Sequence, residues 1–206
     1  MDIRKLLAFG SGFGIEIRGD DLEVAIARVR PYGIEVPGHA RIARFRERPA
    51  GEWGAECSRL LKACGASHLS ATVLLPRSDV IVRHLPLPGV ARKDLASAIA
   101  LQLETLQPYG EDAVVYGWSA LAGDSVLVGI LRRDTLENYL AMFAEAGIAV
   151  SSFTFSAAAI HAAIRVLSAP PAGGFLAVSS DGGAVEVYGE SEARPVFTAE
   201  FDLQPE

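Results

Sequence analysis

A short turn near the start of the chain gathers residue types that bind phosphate and metal ions. Residues 12–29 read GFGIEIRGDDLEVAIARV, two strand-like runs joined by the turn Arg18-Gly19-Asp20-Asp21. A glycine turn between two strands, with carboxylates nearby, is one way in which proteins hold nucleotide phosphates and their metal ion. The same pattern is also typical of an ordinary β-hairpin, in which the glycine only closes the turn. The stretch is therefore open to two interpretations, a phosphate loop (intact or degenerate) and a plain hairpin.

No second chemical motif is visible elsewhere in the sequence. The four histidines are scattered, and the two cysteines, Cys57 and Cys64, give no metal-ligand spacing. On a helix these cysteines would lie about 10 Å apart, which is too far for a disulfide, so we expect two reduced thiols and a cytosolic protein. The chain lacks a Gly-x-Ser-x-Gly motif, a Walker loop and a paired-acid motif. We therefore expect no metal site and no catalytic residue.

Composition limits the class of protein. Of the 206 residues, 50% are hydrophobic and 21% are charged, which is enough to bury the core of one large or two small domains. The net charge of −6 argues against a nucleic-acid partner. No apolar run approaches the roughly 20 residues of a membrane span, and the N-terminus lacks a secretory cleavage site.

Hydrophobic periodicity predicts β-β-β-α-β for the first 76 residues. Strands are expected over 13–17, 22–29, 38–45 and 70–76, since these runs alternate or are continuously apolar. The stretch GEWGAECSRLLKACG predicts an amphipathic helix that ends at Gly65.

The next segment, residues 78–155, predicts the order β-α-β-β-α-β. A helix is expected over 91–106, and Gly123-Asp124 predicts a hairpin turn between two strands. Asp134 and Glu137 form a capping-box-like pair at the start of the second helix. The pattern predicts a compact two-layer unit of roughly 80 residues.

The last segment predicts an alanine-rich helix and three strands. The helix reads SAAAIHAAIRVL, and the strands FLAVSS, AVEVYG and PVFTAEF follow a Pro-Gly-rich break. Because three strands without a covering helix make a poor independent domain, we expect them to open a second α/β domain whose remainder is missing from this chain.

Several stretches, taken in order, resemble the PilM family of type IV pilus assembly proteins. They read VLLPRSDVIVRHLPLPG, LETLQPYGEDAVVYGWSAL and VLVGILRRDTLENYLAMFAEAGIAVSSFTFSAAAIHAAIRV. In that family a strand ending in Leu-Pro precedes Arg-x-Leu-x-Leu-Pro, and a helix ends near Pro-[Phe/Tyr]-x-Glu. The resemblance covers about residues 13–201, is strongest over 72–166, and extends more weakly to GspL and FtsA. The matching residues are Arg83, Leu85, Leu87, Pro88, Pro108, Tyr109, Glu111, Tyr139, Ala146, Gly147 and Ile148.

The resemblance implies an α/β, actin-like (ribonuclease H-like) fold, in which two lobes flank a nucleotide cleft. Residues 1–76 plus 156–170 would form the first lobe, and 77–155 the inserted β-α-β-β-α-β subdomain. Residues 171–206 would be the opening strands of a truncated second lobe.

The resemblance also implies that both phosphate loops are degenerate. Nucleotide-binding members carry Gly-Ile-Asp-Ile-Gly-Ser-Ser in the first hairpin, where this chain has Glu16 for the aspartate and Arg18 for the glycine. Asp-[Ile/Leu]-Gly is expected at the start of the second lobe, where this chain has serines and a later Asp-Gly. We expect no ATP hydrolysis and no cofactor, with ATP and magnesium conceivable only in a complete protein. The candidate nucleotide-binding residues are Glu16, Arg18, Gly19, Ser179, Ser180, Asp181 and Gly182.

The implied partner is a bitopic membrane protein of the PilN type. PilM-like proteins dock its cytoplasmic peptide between the first lobe and the insert. Leu85 and Tyr109 would supply the apolar floor, and Arg83 and Gln102 the polar anchors. The alternative is that these four residues only pack the insert against the lobe.

Three functions follow for the whole chain. The first is a non-enzymatic cytoplasmic scaffold, peripheral to the inner membrane, in a type IV pilus or type II secretion platform; it could contact further motor components. The second is an ATP-binding switch of the same machinery. The third is that the β-α-β-β-α-β unit is a small-molecule regulatory module unrelated to pili.

Overall fold

The computed structural model describes residues 10–30, 32–121, 123–167, 171, 173–181, 184–192 and 196–202. The chain divides into two compact units. One unit comprises Met1–Pro76 with Asp134–Ser156, and the other Arg77–Arg133 with Ala157–Glu206. Within the described ranges, no helix is both long enough and apolar enough to cross a membrane.

The strands and helices follow one another nearly as the periodicity predicts. In chain order they are β1 (Gly10–Arg18), β2 (Asp21–Arg30), β3 (Gly33–Ile42), α1 (Ala50–Ala63), β4 (Ala71–Leu75), β5 (Val80–Pro86), α2 (Leu95–Leu106), β6 (Val114–Ala120), β7 (Ser125–Arg132), α3 (Arg133–Glu145), β8 (Val150–Phe155), α4 (Ser156–Leu167), β9 (Phe175–Asp181), β10 (Ala184–Glu190) and β11 (Phe197–Asp202).

The first unit is built on a five-stranded sheet with the order β3-β2-β1-β4-β8. β1, β2 and β3 are antiparallel neighbours, whereas β4 runs parallel to both β1 and β8. Alternate residues of β1 and β2 are buried, as expected for strands with one covered face. Helix α1 contributes the buried Trp53, whose ring meets those of Phe45 and Phe143 edge-on.

A glycine sets the distance between α1 and the end of α3. A Cβ atom built on Gly54 would lie 2.0 Å from the carbonyl oxygen of Ala146. No residue other than glycine fits this contact without displacing the backbone. Gly54 lies on the predicted helix, but nothing in the local pattern shows which segment it contacts.

The position of β8 differs from the expectation. The sequence predicted β8 as the last strand of the unit 78–155, and the order of its six elements is as predicted. In the structure, however, β8 pairs in parallel with β4, so the four strands of this segment are divided between two sheets. The reason is that α3 buries Phe143 against Trp53, which returns the chain to the five-stranded sheet. Hydrophobic periodicity finds a strand but does not identify its neighbour.

The second unit contains a three-stranded antiparallel sheet with the order β5-β7-β6. The predicted hairpin is confirmed, and both Gly123 and Asp124 have positive φ at its turn, 72° and 52°. Helix α2 covers one face of this sheet. The core between them consists of Leu85, Leu87, Leu95, Ile99, Leu103, Val114, Val126, Val128 and Ile130.

The same unit contains a second antiparallel sheet with the order β11-β10-β9, as the three predicted strands imply. An ion pair connects α4 to this sheet: both Arg165 guanidinium nitrogens donate to the Glu190 carboxylate, at 2.9 and 2.8 Å. The buried Tyr188 hydroxyl also donates to Glu190. These contacts orient α4 on one face of the sheet.

Candidate functional site

The turn between β1 and β2 is as short as a hairpin allows. Arg18 pairs with Asp21, so Gly19 and Asp20 alone form the loop. Gly19 has a φ of 56°. A positive φ at the first loop residue is what a two-residue hairpin of type II′ requires, and glycine adopts it without strain. Gly19 therefore has a sufficient structural role in closing the hairpin.

Asp21 holds the end of β3 in place. One of its carboxylate oxygens accepts a hydrogen bond from the backbone N–H of Arg44 (2.7 Å), and the other accepts one from Nε of Arg41 (2.8 Å). The hydrogen bond from Arg44 is the main cause that lowers the pKa of Asp21, and the hydrogen bond from Arg41 adds to it. The carboxylate is thus stabilised in its charged form by groups of its own unit.

This interaction also explains why β3 ends earlier than expected. The strand predicted over 38–45 is observed over Gly33–Ile42. Arg44 adopts a left-handed conformation with a φ of 48°, and Phe45 begins a short 3₁₀ turn. The N–H of Phe45 donates to the carbonyl oxygen of Asp20 at 2.8 Å. The turn after β3 is therefore fixed to the hairpin by hydrogen bonds that are distant in sequence.

Glu16, the predicted metal-organising carboxylate, is paired with the residue that replaces the family's glycine. Its Oε1 lies 3.0 Å from Nε of Arg18, and both side chains are about one-third exposed. The two residues are separated by one position in β1 and so lie on the same face of the strand. The negative charge of Glu16 is thereby offset by a neighbouring guanidinium.

The second predicted phosphate loop lies in a β-hairpin of the other unit. Ser179 and Ser180 are exposed near the end of β9 and are paired in register with Glu186 and Val185 of β10. Asp181 is the last residue of β9, and Gly182 lies outside the described residues. The role of these four residues in nucleotide binding stays a prediction.

The four residues predicted to bind a peptide all belong to the second unit, around the C-terminal end of α2. Arg83 lies on β5, and its Nε donates to the carbonyl oxygen of Leu106 at 3.2 Å. A guanidinium at this position satisfies a carbonyl group that the helix end leaves without an intrahelical partner. Arg83 is therefore a cation whose position is fixed by α2.

The other three differ in accessibility. Leu85 is buried in the core beneath α2, so a ligand on this surface would not reach its side chain. Gln102 is half-buried on α2. Tyr109 is 44% exposed, and the guanidinium carbon of Arg132 lies 5.8 Å from the centre of its ring. The accessible members of the set are thus Arg83, Tyr109 and part of Gln102.

The structure adds Gln107, which the sequence analysis missed. Gln107 ends α2 in an extended conformation and is only 7% exposed. Its Oε1 accepts a hydrogen bond from the backbone N–H of Tyr109, which orients the amide group. Its Nε2 is buried and has no hydrogen-bond partner in the described part of the chain. The sequence signal was the polar Gln before Pro108 at a helix end, but its burial depends on tertiary packing.

A buried amide donor without a partner is rare in folded proteins. Leaving such a group unpaired costs about 1–3 kcal/mol, and each specific case calls for an explanation. Here the donor lies two residues from an exposed tyrosine and at the helix end that Arg83 contacts.

Comparisons with known proteins bear on the fold. No protein-family model matches the sequence, and no curated protein matches it. A chain of the PilM-PilN type IV pilus biogenesis complex matches with a TM-score of 0.74 and 17% identity, over 94% of this chain and 62% of that chain. The cytoplasmic domain of EpsL, an inner-membrane component of the Vibrio cholerae type II secretion system, matches with a TM-score of 0.59 and 16% identity, over 93% and 71%.

The description of a third solved structure states its fold. A Bacteroides thetaiotaomicron protein described as having an actin-like ATPase fold matches with a TM-score of 0.50 and 9% identity, over 100% of this chain and 75% of that one. The chain thus spans about three-fifths of the length of the pilus protein that it matches. The predicted fold class is confirmed: the protein has the actin-like fold, and its structural relatives include components of pilus and secretion machines.

Proposed function

We propose that the protein is a non-catalytic scaffold of a type IV pilus or related type II secretion platform. In this role it acts at the cytoplasmic side of the inner membrane and docks a short cytoplasmic peptide of a PilN-like membrane protein. The actin-like fold shared with the pilus and secretion proteins supports the setting. The single observation that carries the docking role is that two exposed side chains, Arg83 and Tyr109, lie at the C-terminal end of α2, where the carbonyl oxygen of Leu106 holds Arg83 in place.

The chemistry of this site suits an extended peptide. Because the N–H of Tyr109 occupies Oε1 of Gln107, the amide presents Nε2 as its remaining donor. A peptide carbonyl accepts this hydrogen bond, and the face of the Tyr109 ring contacts a neighbouring apolar side chain. Arg83, fixed by the carbonyl oxygen of Leu106, offers a cation for a carbonyl or acidic group.

The hairpin supports the non-catalytic part of the proposal. The Glu16 carboxylate is paired with Arg18, and Asp21 is engaged by Arg41 and Arg44. Asp20 in turn lies 3.5 Å from Nε of Arg46. The acidic groups of the turn are thus paired with arginines of the same unit, which supports a hairpin that holds itself together.

Calorimetry with a synthetic peptide tests the proposal. The peptide is the cytoplasmic N-terminal segment of a PilN-type protein from the same organism. Tyr109→Ala and Arg83→Glu should each weaken binding by at least tenfold. Tyr32→Ala is the matched control, because Tyr32 is a fully exposed tyrosine of the other unit and its removal should leave affinity unchanged. If both site variants keep the fold by circular dichroism and bind the peptide like the unmodified protein, this surface is not the docking site.

A further inference from the structure

Helix α4 carries a histidine in the middle of its buried stripe. Ala157, Ile160, His161 and Ile164 are spaced as the covered face of an amphipathic helix requires. Ala157 is 1% exposed and His161 7%, so the imidazole lies in the contact that the helix makes with the rest of its unit. A titratable side chain at such a position makes the contact depend on its protonation.

An ion pair lies beside this histidine. Nη1 of Arg165, one helical turn later, donates to the carbonyl oxygen of His161 at 3.0 Å and also to the Glu190 carboxylate of β10. That carboxylate accepts a second hydrogen bond from Arg165 and one from the Tyr188 hydroxyl. With a neutral imidazole the cluster therefore holds one cation and one anion, and the carboxylate already accepts three hydrogen bonds.

A proton on His161 would upset this balance. The imidazolium would be a second cation beside Arg165, buried in the contact and facing a carboxylate that other groups already hold. Among the described residues, the charged groups that act on the imidazole are Arg165 of its own helix and Glu190 of β10. Burial is the main cause that lowers the pKa of His161, and Arg165 lowers it further, whereas Glu190 raises it by less. The neutral imidazole is thus the form that fits the contact.

We infer that His161, Arg165, Tyr188 and Glu190 form a pH-sensitive latch between α4 and β10, closed near neutral pH and weakened in mildly acidic solution by a proton on His161. The proton adds a buried charge that the cluster does not compensate. The latch lies at a junction of the chain: β8 ends at Phe155 in the first unit, and the second unit resumes at Ala157, in the first turn of α4. Acidification therefore loosens the helix through which the chain passes from one unit to the other.

The pH range of the effect follows from the sign of the pKa change. Because folding lowers the pKa of His161, the unfolded chain binds the proton more readily. The contribution of the latch is therefore full above the ordinary pKa of 6.5 and falls as the pH drops below that value. Burial alone would raise the pKa of Glu190, but the hydrogen bonds from Arg165 and Tyr188 lower it from 4.5, so this carboxylate stays charged above pH 5. Measurements between pH 5 and pH 8 thus separate His161 from Glu190.

Thermal denaturation between pH 5 and pH 8 tests this inference. The Tm of the unmodified chain should fall by a few degrees more than that of His161→Gln as the pH drops from 8 to 5, because glutamine does not titrate. His68→Gln is the matched control, since His68 is exposed in the first unit and its removal should leave the pH profile unchanged. Hydrogen exchange, corrected for the intrinsic effect of pH, locates the change: the amides of α4 should lose protection in acid, and those of α1 should not.

Two results would overturn the inference. One is a pH profile of His161→Gln that matches that of the unmodified chain. The other is an exchange measurement in which α4 keeps its protection in acid. If His161→Gln fails to fold, an NMR titration of the unmodified chain decides: an imidazole of His161 that takes up its proton at or above pH 6.5 contradicts the latch, and one that does so below pH 6.5 supports it. These measurements use no peptide, so their outcome is independent of the proposed docking function.

Discussion

The hairpin at Gly19 and the connection at Gln107 use polar groups in opposite ways. In the hairpin, Glu16 meets Arg18, and Asp21 meets Arg44 and Arg41. In the connection after α2, a buried amide donor has no partner among the described residues. The hairpin contains more charged side chains than the connection, but these side chains are paired with one another. We infer that the connection after α2 is the better candidate for a binding site, and the predictions below test this.

The largest expected effect on peptide affinity is that of replacing Gln107, which tests whether its unpaired donor binds the peptide. Gln107→Leu is expected to lower peptide affinity at least tenfold, because the donor is lost, without lowering Tm. Removing a buried unpaired donor is stabilising, which offsets the loss of the hydrogen bond from the N–H of Tyr109 to Oε1 of Gln107. Calorimetry and thermal denaturation measure the two quantities.

The control for this variant is Asn138→Leu, which removes an exposed amide on α3 and should change neither affinity nor Tm. Unchanged affinity in Gln107→Leu would show that the peptide does not use this donor.

Replacing Asp21 should have the opposite profile, a loss of stability with no change in peptide affinity. Asp21→Ala removes the acceptors for Arg44 and Arg41, so Tm should fall by a few degrees. Asp21→Asn keeps an oxygen for the N–H of Arg44 and should lose less. Because the pKa of Asp21 is lowered by folding, its contribution is present above its ordinary pKa of 3.8 and is lost as the pH falls below that value.

Melting curves between pH 2 and pH 7 test this, since the difference between the unmodified chain and Asp21→Ala should shrink at the acidic end. A difference that is constant with pH would mean that the charge of Asp21 does not matter for stability.

A smaller loss of stability is expected at Gly19. Gly19→Ala places a side chain at a φ of 56° and should destabilise the unit by about 1 kcal/mol. Gly12→Ala is the matched control on β1, since Gly12 has no positive φ and the space that an added Cβ would occupy is open. Urea denaturation compares the two variants. Equal stability would show that the turn conformation of Gly19 carries no strain for alanine.

The local features of the fold could be predicted from the sequence. The distant segments that each strand or turn contacts could not. The hairpin β1–β2 was predicted because alternation and a turn glycine are both local. The end of β3 was misplaced because the conformation of Arg44 is fixed by Asp21, 23 positions away. The partner of β8 was missed because it depends on the packing of Phe143 on Trp53.

The candidate site follows the same rule. Arg83 and Tyr109 could be named from a family resemblance, and both are accessible at the end of α2. Leu85 could be named as apolar, but its alternation in β5 does not tell which face α2 covers. Gln107 could not be identified, because burial and a missing partner are properties of the folded chain. The sequence therefore indicates the candidate residues but not their burial or their hydrogen-bond partners.

The smallest expected effect is the response to ATP. It tests directly whether the hairpin at Gly19 is a nucleotide site. If the charged groups of the hairpin are already paired with one another, adding ATP and magnesium to residues 1–206 should leave Tm unchanged. Calorimetry should then detect no micromolar binding. The physical reason is that Glu16 is paired with Arg18, and Asp20 with Arg46. Arg18→Gly separates a degenerate phosphate loop from a plain hairpin, because it releases Glu16 and restores the glycine of the family pattern. Binding gained in Arg18→Gly would identify a degenerate phosphate loop, whereas no response in either protein is expected of a hairpin alone. Micromolar affinity in the unmodified chain that Glu16→Ala abolishes would reverse the comparison and make the hairpin the functional site.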